Sequence, residues 1–170
     1  MECLKIRLSG IVEESIVDGP GIRYAIFTQG CKHNCYGCHN PQTHDLLGGY
    51  LEDCNKLVEQ INDAYYLKGV TFSGGEPFLQ SKECAYIASK LNNKYDIIAY
   101  TGYLFEDLIK LSKDEPSIMD FLKQIDILID GPFKINLRSL DLKFKGSKNQ
   151  RMILVKESLE KNEIVLYPED

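Results

Sequence analysis

The chain has 170 residues, of which 44% are hydrophobic, and its formal net charge at pH 7 is −5. This length and composition predict a single globular domain over residues 1–170 with a substantial core. The acidic balance argues against a nucleic-acid partner, no apolar run is long enough to cross a bilayer, and the first five residues do not resemble a signal peptide. Of six cysteines three are clustered and three scattered, which is typical of a reducing compartment, so we expect a cytoplasmic protein.

The first predicted elements are two strands. Residues 2–17 alternate loosely between apolar and polar, and this pattern places Leu4, Ile6 and Leu8 on one face of a half-buried strand. After a turn at 18–21, the apolar run 23–29 predicts a buried strand that ends at Gly30. Functional groups of α/β proteins collect at the carboxyl ends of strands. The residues that follow Gly30 are therefore a candidate site.

The next residue begins the motif Cys31-Lys32-His33-Asn34-Cys35-Tyr36-Gly37-Cys38, with the spacing Cys-x3-Cys-x2-Cys. A cubane [4Fe–4S] cluster normally takes four cysteine ligands, so three thiolates leave one iron open to a small molecule. The alternative is a structural zinc ion, which takes four protein ligands, with the fourth supplied by His33, His39 or His44. The spacing alone leaves both interpretations open.

Downstream of this motif, helix-like and strand-like segments alternate. The apolar pattern predicts helices over 51–66, 84–91, 104–112 and 117–123, and strands at 70–72, 97–100, 125–129, 152–155 and 164–167. Cys54 and Tyr65 are expected on the apolar face of the first of these helices, and Cys84 on that of the second, as core residues. Alternation of this kind predicts an α/β fold with a mainly parallel sheet. The units are too few for a closed eight-fold barrel, so we expect a partial, open (βα) barrel.

The segment Ser73-Gly74-Gly75-Glu76-Pro77 follows the predicted strand 70–72. Its two glycines permit positive φ and close approach of the backbone to a ligand, and Pro77 biases Glu76 toward extended geometry. Thr101 and Asp130 stand at two further strand ends, where they are candidates for polar contacts to a ligand. Ordinary turn and capping chemistry is the alternative explanation for both.

The three-cysteine spacing resembles the signature of the radical S-adenosylmethionine (SAM) enzymes, and Gly74-Gly75-Glu76-Pro77 resembles the element with which those enzymes hold the methionine end of SAM. Within that superfamily the chain resembles the activating proteins of anaerobic (class III) ribonucleotide reductases. The resemblance runs over nearly the whole chain, through segments 18–23, 29–43, 71–77, 100–103, 129–133 and 144–151. The last segment contains Gly-Ser-x-Asn-Gln-Arg, which is the most discriminating. Composition alone would make it a solvated loop, whereas the functional interpretation, which we favour, is a polar lip near the SAM site or the partner surface.

The resemblance implies a [4Fe–4S] cluster on Cys31, Cys35 and Cys38 whose open iron binds SAM. It implies reductive cleavage of SAM to a 5′-deoxyadenosyl radical, which abstracts hydrogen from a glycine Cα of the large reductase subunit. The SAM contacts that it implies are Tyr36, Gly37, His39, Ser73, Gly74, Gly75, Glu76, Thr101 and Asp130. Many members carry an aromatic residue at the position of Gly37, so Tyr36 or His39 is expected to take over the adenine contact.

The resemblance also implies a flavodoxin- or ferredoxin-type electron donor, and it is compatible with a homodimer in the complex. Two alternatives stay open: a radical SAM activator of another glycyl radical enzyme such as pyruvate formate-lyase, and a non-catalytic zinc-binding module. With few crossover units the chain has little material for a lid, so we expect the bound protein substrate to exclude water from the site.

Overall fold

The computed structural model describes residues 4–33, 35–38 and 41–168. Within these residues the chain forms seven strands and five α-helices, in the order β1 (Lys5–Ser15), β2 (Arg23–Thr28), β3 (Tyr50–Asp53), α1 (Cys54–Asp63), β4 (Gly69–Gly74), α2 (Ser81–Leu91), β5 (Asp96–Tyr100), α3 (Phe105–Leu111), α4 (Pro116–Leu122), β6 (Ile127–Asp130), β7 (Arg151–Leu154) and α5 (Val155–Lys161). Short 3-10 turns lie at Pro41–Thr43, Pro77–Gln80 and Ile135–Leu137.

The seven strands form one sheet in the order β3-β1-β2-β4-β5-β6-β7. The inner strands β2, β4, β5 and β6 are parallel, and antiparallel strands flank them on both sides. Among the described residues the two outermost strands, β3 and β7, do not pair with each other, so the sheet stays open. The prediction of a mainly parallel α/β fold with a partial, open barrel is confirmed.

The two faces of the sheet are covered differently. Helices pack on one face, where the main core includes Leu57 of α1, Ile87 of α2 and Phe121 of α4. The opposite face carries a smaller cluster of Ile98, Ile129 and Met152, against which partly buried residues from the strands and from loops pack. Because the parallel strands all end at one edge, loops that cover this second face meet there, and they form the candidate site.

The core predictions for two cysteines are confirmed, since Cys54 and Cys84 are both fully buried. The prediction for Tyr65 is wrong, because α1 ends at Asp63 and the Tyr65 side chain is 88% exposed. The predicted helix start at residue 51 is also wrong. Residues 50–53 pair with β1 instead, and this pairing outweighs the helical period of the sequence.

The carboxyl-terminal region differs most from the sequence-based prediction. The strand predicted at 152–155 ends at Leu154, and Val155 begins helix α5, which the sequence analysis missed. This helix has only seven residues, too few to show a periodicity. The segment 164–167 makes a single bridge, between Ile153 and Leu166, rather than a strand. No helix in the described part of the chain combines the length and the apolar character needed to span a membrane.

Candidate active site at the carboxyl edge of the sheet

A cavity of about 540 Å³ lies where the parallel strands end. This volume is within the roughly 300–1,000 Å³ typical of small-molecule sites. Seven of the predicted site residues line it, namely Cys31, Cys35, Cys38, Ser73, Gly74, Gly75 and Thr101. The fold therefore brings the cysteine motif, the glycine turn and the end of β5 to one place, although they are far apart in sequence.

Of the five other predicted residues, the four that the structure describes do not line this cavity. Tyr36 is 83% exposed, whereas Glu76 and Asp130 are buried inside the wall. Gly37 contacts Ile135, and His39 lies outside the described residues. The lining residues that were not predicted as cofactor contacts include Asp18, His44, Tyr100, Phe133, Phe144 and Gln150, of which His44 was considered only as a zinc ligand. Most of these residues flank the predicted motifs in sequence, so closeness to a motif was the only sequence signal that they line the cavity.

Backbone hydrogen bonds hold the cysteine loop at its base. The Gly30 N–H donates to the Thr43 carbonyl over 2.6 Å, and the Cys31 N–H donates to the His44 carbonyl over 3.3 Å. The buried Gln29 side chain donates from Nε2 to the carbonyls of Gln42 and Asp45. The loop that carries the three thiols is therefore closed by the segment that follows it, before any ligand is considered.

The glycine turn after β4 is joined to the same region. The Gly75 N–H donates to the Thr28 carbonyl over 2.8 Å, and the Glu76 N–H donates to the Gly30 carbonyl over 2.7 Å. Gly74 has a φ of +95°, and a Cβ there would lie 2.5 Å from the Thr28 nitrogen. The predicted positive φ is present. The close approach that requires glycine, however, is to strand β2 of the protein itself, and a ligand is not needed to explain it.

The Glu76 carboxylate is 1% exposed and accepts hydrogen bonds from four residues. Thr101 Oγ1 donates to both carboxylate oxygens, at 2.8 and 2.9 Å. The backbone N–H groups of Gly102 and Phe78 donate over 2.7 and 3.1 Å, and His33 Nε2 lies 2.6 Å from Oε1. An ionised carboxylate offers about four acceptor positions. The Glu76 side chain is thus used to join the cysteine loop to the ends of β4 and β5.

Asp130 is used in a similar way at the end of β6. Its two oxygens accept from Arg151 Nε over 3.0 Å and from Arg151 Nη2 over 2.5 Å, and Oδ2 also accepts from the Phe105 N–H at the start of α3. Hydrogen bonds to Asp130 and then to Glu106 raise the pKa of Arg151. The hydrogen bond from Arg151 in turn lowers the pKa of Glu106. The Asp130 carboxylate therefore holds the turn that begins at residue 130.

The Gly-Ser-x-Asn-Gln-Arg segment pairs with that turn almost residue for residue. Beyond the Arg151–Asp130 pair, Gln150 Nε2 donates to the Gly131 carbonyl over 3.0 Å, and Asn149 Nδ2 donates to the Pro132 carbonyl over 2.8 Å. The buried Ser147 Oγ accepts from the Lys134 N–H over 3.2 Å. The segment is therefore an ordered part of the cavity wall and not a solvated loop.

The chain between β6 and β7 forms one side of the cavity, through Phe133, Leu142, Phe144, Lys145, Gly146 and Gln150. The segment therefore places more residues beside the site than we expected from the small number of crossover units. A Cβ at Gly37, whose φ is +77°, would lie 2.5 Å from Ile135 Cδ1. The same segment thus packs on the cysteine loop, and the positive φ together with this contact disfavours a side chain at position 37.

The three thiols fit an iron–sulfur cluster by their chemistry, because thiolates are the ligands that such clusters take. A single zinc ion fits these residues less well. A structural zinc ion takes four protein ligands, and Nε2 of His33, a candidate for the fourth, is engaged with Glu76.

Comparison with known families first gives the class of protein. Residues 17–153 match the family described as a 4Fe-4S single cluster domain. The match spans the cysteine loop, the glycine turn and the ends of β5 and β6, which together form the cavity. The protein is therefore a 4Fe-4S cluster protein, and this match does not support the alternative of a zinc module.

Similarity to curated proteins narrows the class. The anaerobic ribonucleoside-triphosphate reductase-activating protein of Enterobacteria phage T4 is 35% identical over 144 residues, which cover 80% of this chain and 86% of that protein. The protein of the same name from Escherichia coli K12 is 31% identical over 147 residues, 79% of this chain and 90% of that one. The chain belongs to the family of anaerobic ribonucleoside-triphosphate reductase-activating proteins.

Two further similarities cover only about half of the matched protein. The pyruvate formate-lyase-activating enzyme of Clostridium pasteurianum is 32% identical over 127 residues, which cover 71% of this chain and 53% of that enzyme. Among solved structures, QueE from Escherichia coli matches 58% of this chain and 52% of its own, with 16% identity and a TM-score of 0.45. This structural similarity is too low to carry an argument.

Proposed function

We propose that the protein is a radical SAM activase that generates a glycyl radical on the large subunit of an anaerobic ribonucleoside-triphosphate reductase. The observation that carries this proposal is the convergence of Cys31, Cys35 and Cys38 with the glycine turn on one cavity. This convergence occurs in a chain 35% identical to a reductase-activating protein. The cluster and SAM supply the radical chemistry, and the protein supplies binding, orientation and exclusion of water.

The roles of the chain's own residues follow from their positions. Cys31, Cys35 and Cys38 would hold the cluster in the cavity that they line, and three thiolates would leave one iron without a protein ligand, able to bind SAM. Ser73, Gly74, Gly75 and Thr101 line that space and are the proposed contacts to SAM. For adenine, Phe133 and Phe144 add two cavity-lining aromatic side chains to the sequence-based candidates Tyr36 and His39.

Glu76 and Asp130 act through other residues in this proposal. Both carboxylates are buried and accept several hydrogen bonds from the protein. We assign Glu76 to positioning the Thr101 hydroxyl and the cysteine loop, and Asp130 to positioning the turn at 131–133. Each thereby shapes the wall that SAM contacts.

The remaining components of the reaction are also proposals. One-electron reduction of the cluster requires a donor, for which we propose a flavodoxin- or ferredoxin-type protein. Because the cluster ligands must be thiolates, we place the protein in the reducing cytoplasm. We also propose that the activase is a homodimer in its complex with the reductase. The mass of the isolated complex tests this proposal.

One anaerobic experiment tests the central proposal. The reconstituted protein is incubated with dithionite, SAM and a reductase subunit that carries deuterium at glycine Cα. We expect a glycyl radical by electron paramagnetic resonance and deuterium in the released 5′-deoxyadenosine, with neither in the Cys35→Ala variant. If the deuterium stays on a subunit that is folded and bound, the assignment is wrong.

A second candidate substrate is a pyruvate formate-lyase, because an activator of that enzyme is 32% identical over 127 residues. The same assay with both proteins in competition separates the two. We expect the radical on the reductase subunit, since the matched activator from phage T4 aligns over 86% of its length, whereas the lyase activator aligns over 53%.

A further inference from the structure

Positive charge is concentrated in residues 131–151, which we call the basic wall segment. It contains six basic residues and one acidic residue, Asp141. Its formal charge is therefore +5 in a chain whose net charge is −5, so the rest of the protein carries −10. The basic members are Lys134, Arg138, Lys143, Lys145, Lys148 and Arg151.

Four of these side chains are exposed: Lys134, Arg138, Lys143 and Lys148. In the described part of the chain none of the four forms an ion pair with a carboxylate of the protein. Arg151, by contrast, is engaged with both Asp130 and Glu106. Single exposed lysines are ordinary on a surface. It is the accumulation of four such cations on one segment of an otherwise acidic protein that requires an explanation.

The basic wall segment also lies at the candidate active site. Seven of its residues line the cavity, and Ile135 packs on Gly37 in the cysteine loop. Large apolar side chains are exposed in the segment and in the cysteine loop that it packs on, since Leu140 is 90% exposed and Tyr36 is 83% exposed. Exposed aromatic and apolar residues together with arginine are typical of protein–protein interfaces.

We propose that the basic wall segment is the docking surface for the polypeptide substrate and binds an acidic surface next to the glycine that is activated. The inference rests on the proposed function. A polypeptide whose backbone reaches the cavity must contact this wall. An electron donor, by contrast, needs only to come near the cluster.

Electrostatics explains why the charge is segregated. An acidic partner is repelled by the net charge of −10 that the activase carries outside the segment, and it is attracted to the basic wall segment, which forms one side of the cavity. Complementary potentials of this kind raise association rates and fix orientation. Salt screens them, with a Debye length of about 8 Å at physiological ionic strength. The proposal therefore predicts fast, salt-sensitive association with the reductase subunit.

The test compares two charge-reversal variants with equal changes in net charge. The first carries Lys134→Glu, Arg138→Glu, Lys143→Glu and Lys148→Glu. The control carries Lys94→Glu, Lys113→Glu, Lys123→Glu and Lys161→Glu, which change exposed lysines at or just after the carboxyl ends of four helices. Association of each reconstituted protein with the reductase subunit is measured anaerobically at several salt concentrations.

We expect the first variant to associate on the order of tenfold or more slowly at low salt, with little remaining salt dependence. The control should stay within about twofold of the unsubstituted protein, and cluster content and SAM affinity should be unchanged in both. A set with Gln at the same four positions of the segment serves if the Glu variant does not fold. Equal slowing in both variants would reduce the effect to net charge and overturn the proposal.

Glycyl radical yield with dithionite provides a second readout, because dithionite replaces the protein electron donor. If the first variant is impaired only with a protein donor and is normal with dithionite, the segment docks the donor and the proposal is wrong. Failure of the unsubstituted protein to form a glycyl radical would instead contradict the proposed function. Normal radical formation with unchanged association of the first variant would contradict this inference alone.

Discussion

Nε2 of His33 lies 2.6 Å from Oε1 of Glu76, so one contact joins the cysteine loop to the glycine turn after β4. The His33 ring also packs edge-on against Tyr103, with the ring centroids 4.5 Å apart. At Gly102 a Cβ would lie 2.5 Å from this ring. The imidazole is thus held on three sides by residues that follow β4 and β5, and the position of the loop depends on it.

We expect His33→Ala to weaken SAM binding by roughly tenfold or more, because the contact with Glu76 holds the cysteine loop beside the SAM cavity. A hydrogen bond to a charged group contributes about 1.5–3 kcal/mol, and about 1.4 kcal/mol corresponds to a factor of ten. His33→Gln can still donate to Glu76 and should recover part of the affinity. Equilibrium binding of SAM and iron content of the reconstituted variants are the measurements. An unchanged SAM affinity in His33→Ala would show that the loop does not depend on this contact.

Glu76→Ala should destabilise the apo protein by several kcal/mol, since it leaves the Thr101 hydroxyl and the N–H groups of Gly102 and Phe78 without their acceptor. Each buried unsatisfied group costs about 1–3 kcal/mol. Glu76→Gln keeps an acceptor oxygen and should cost less. Denaturant unfolding of the apo forms measures both. A Glu76→Ala protein of normal stability that fails to bind SAM would make Glu76 a direct ligand contact.

Replacement of Cys31, Cys35 or Cys38 by Ala should abolish the cluster and SAM cleavage. Cys54→Ala and Cys84→Ala should keep both, because these thiols lie in the core on the helical face of the sheet. Burial raises the pKa of Cys84 well above its ordinary value, which disfavours the thiolate that iron requires. Iron and sulfide content with the visible spectrum decides the point. Loss of the cluster from a folded Cys84→Ala protein would contradict the three-ligand assignment.

Gly74→Ala should lower stability before it affects SAM binding. The residue has a φ of +95°, and a Cβ there meets the backbone of Thr28 at 2.5 Å. Both the strained backbone and the steric contact arise in the apo protein, so the thermal midpoint should fall without SAM present. Gly10→Ala is the matched control, because a Cβ at Gly10 meets nothing within 4 Å. Equal midpoints for the two variants would show that the turn relaxes freely.

Gln150→Ala should loosen the cavity wall, because it removes the acceptor of the Gly146 N–H and the donor to the Gly131 carbonyl. Gln150→Glu keeps the acceptor but loses the donor, so it separates the two contacts. We expect faster hydrogen exchange at residues 131–134 and 146–149 in Gln150→Ala, and an intermediate rate in Gln150→Glu. Exchange as slow as in the unsubstituted protein would mean that the remaining pairs hold the wall without Gln150.

The sequence by itself determined the class of fold and the chemistry of the site. The alternation of strand and helix periods predicts the parallel sheet. The spacing of Cys31, Cys35 and Cys38 predicts a metal site at a strand end, and the resemblance to radical SAM enzymes makes it an iron–sulfur site. These are local properties, because period and spacing are set by residues only a few positions apart. The sequence-based prediction was wrong at residues 50–53, where strand pairing outweighed the helical period. It was also wrong at Val155, where helix α5 is too short to show a period.

The tertiary structure alone decided which polar groups face the cavity and which hold its wall. Glu76 and His33 are 43 positions apart, and Arg151 and Asp130 are 21 apart. No local pattern specifies such pairs. The physical reason is that a buried carboxylate must be satisfied by hydrogen bonds. The donors that reach Glu76 and Asp130 are those that the crossovers of the chain bring to the ends of β4, β5 and β6.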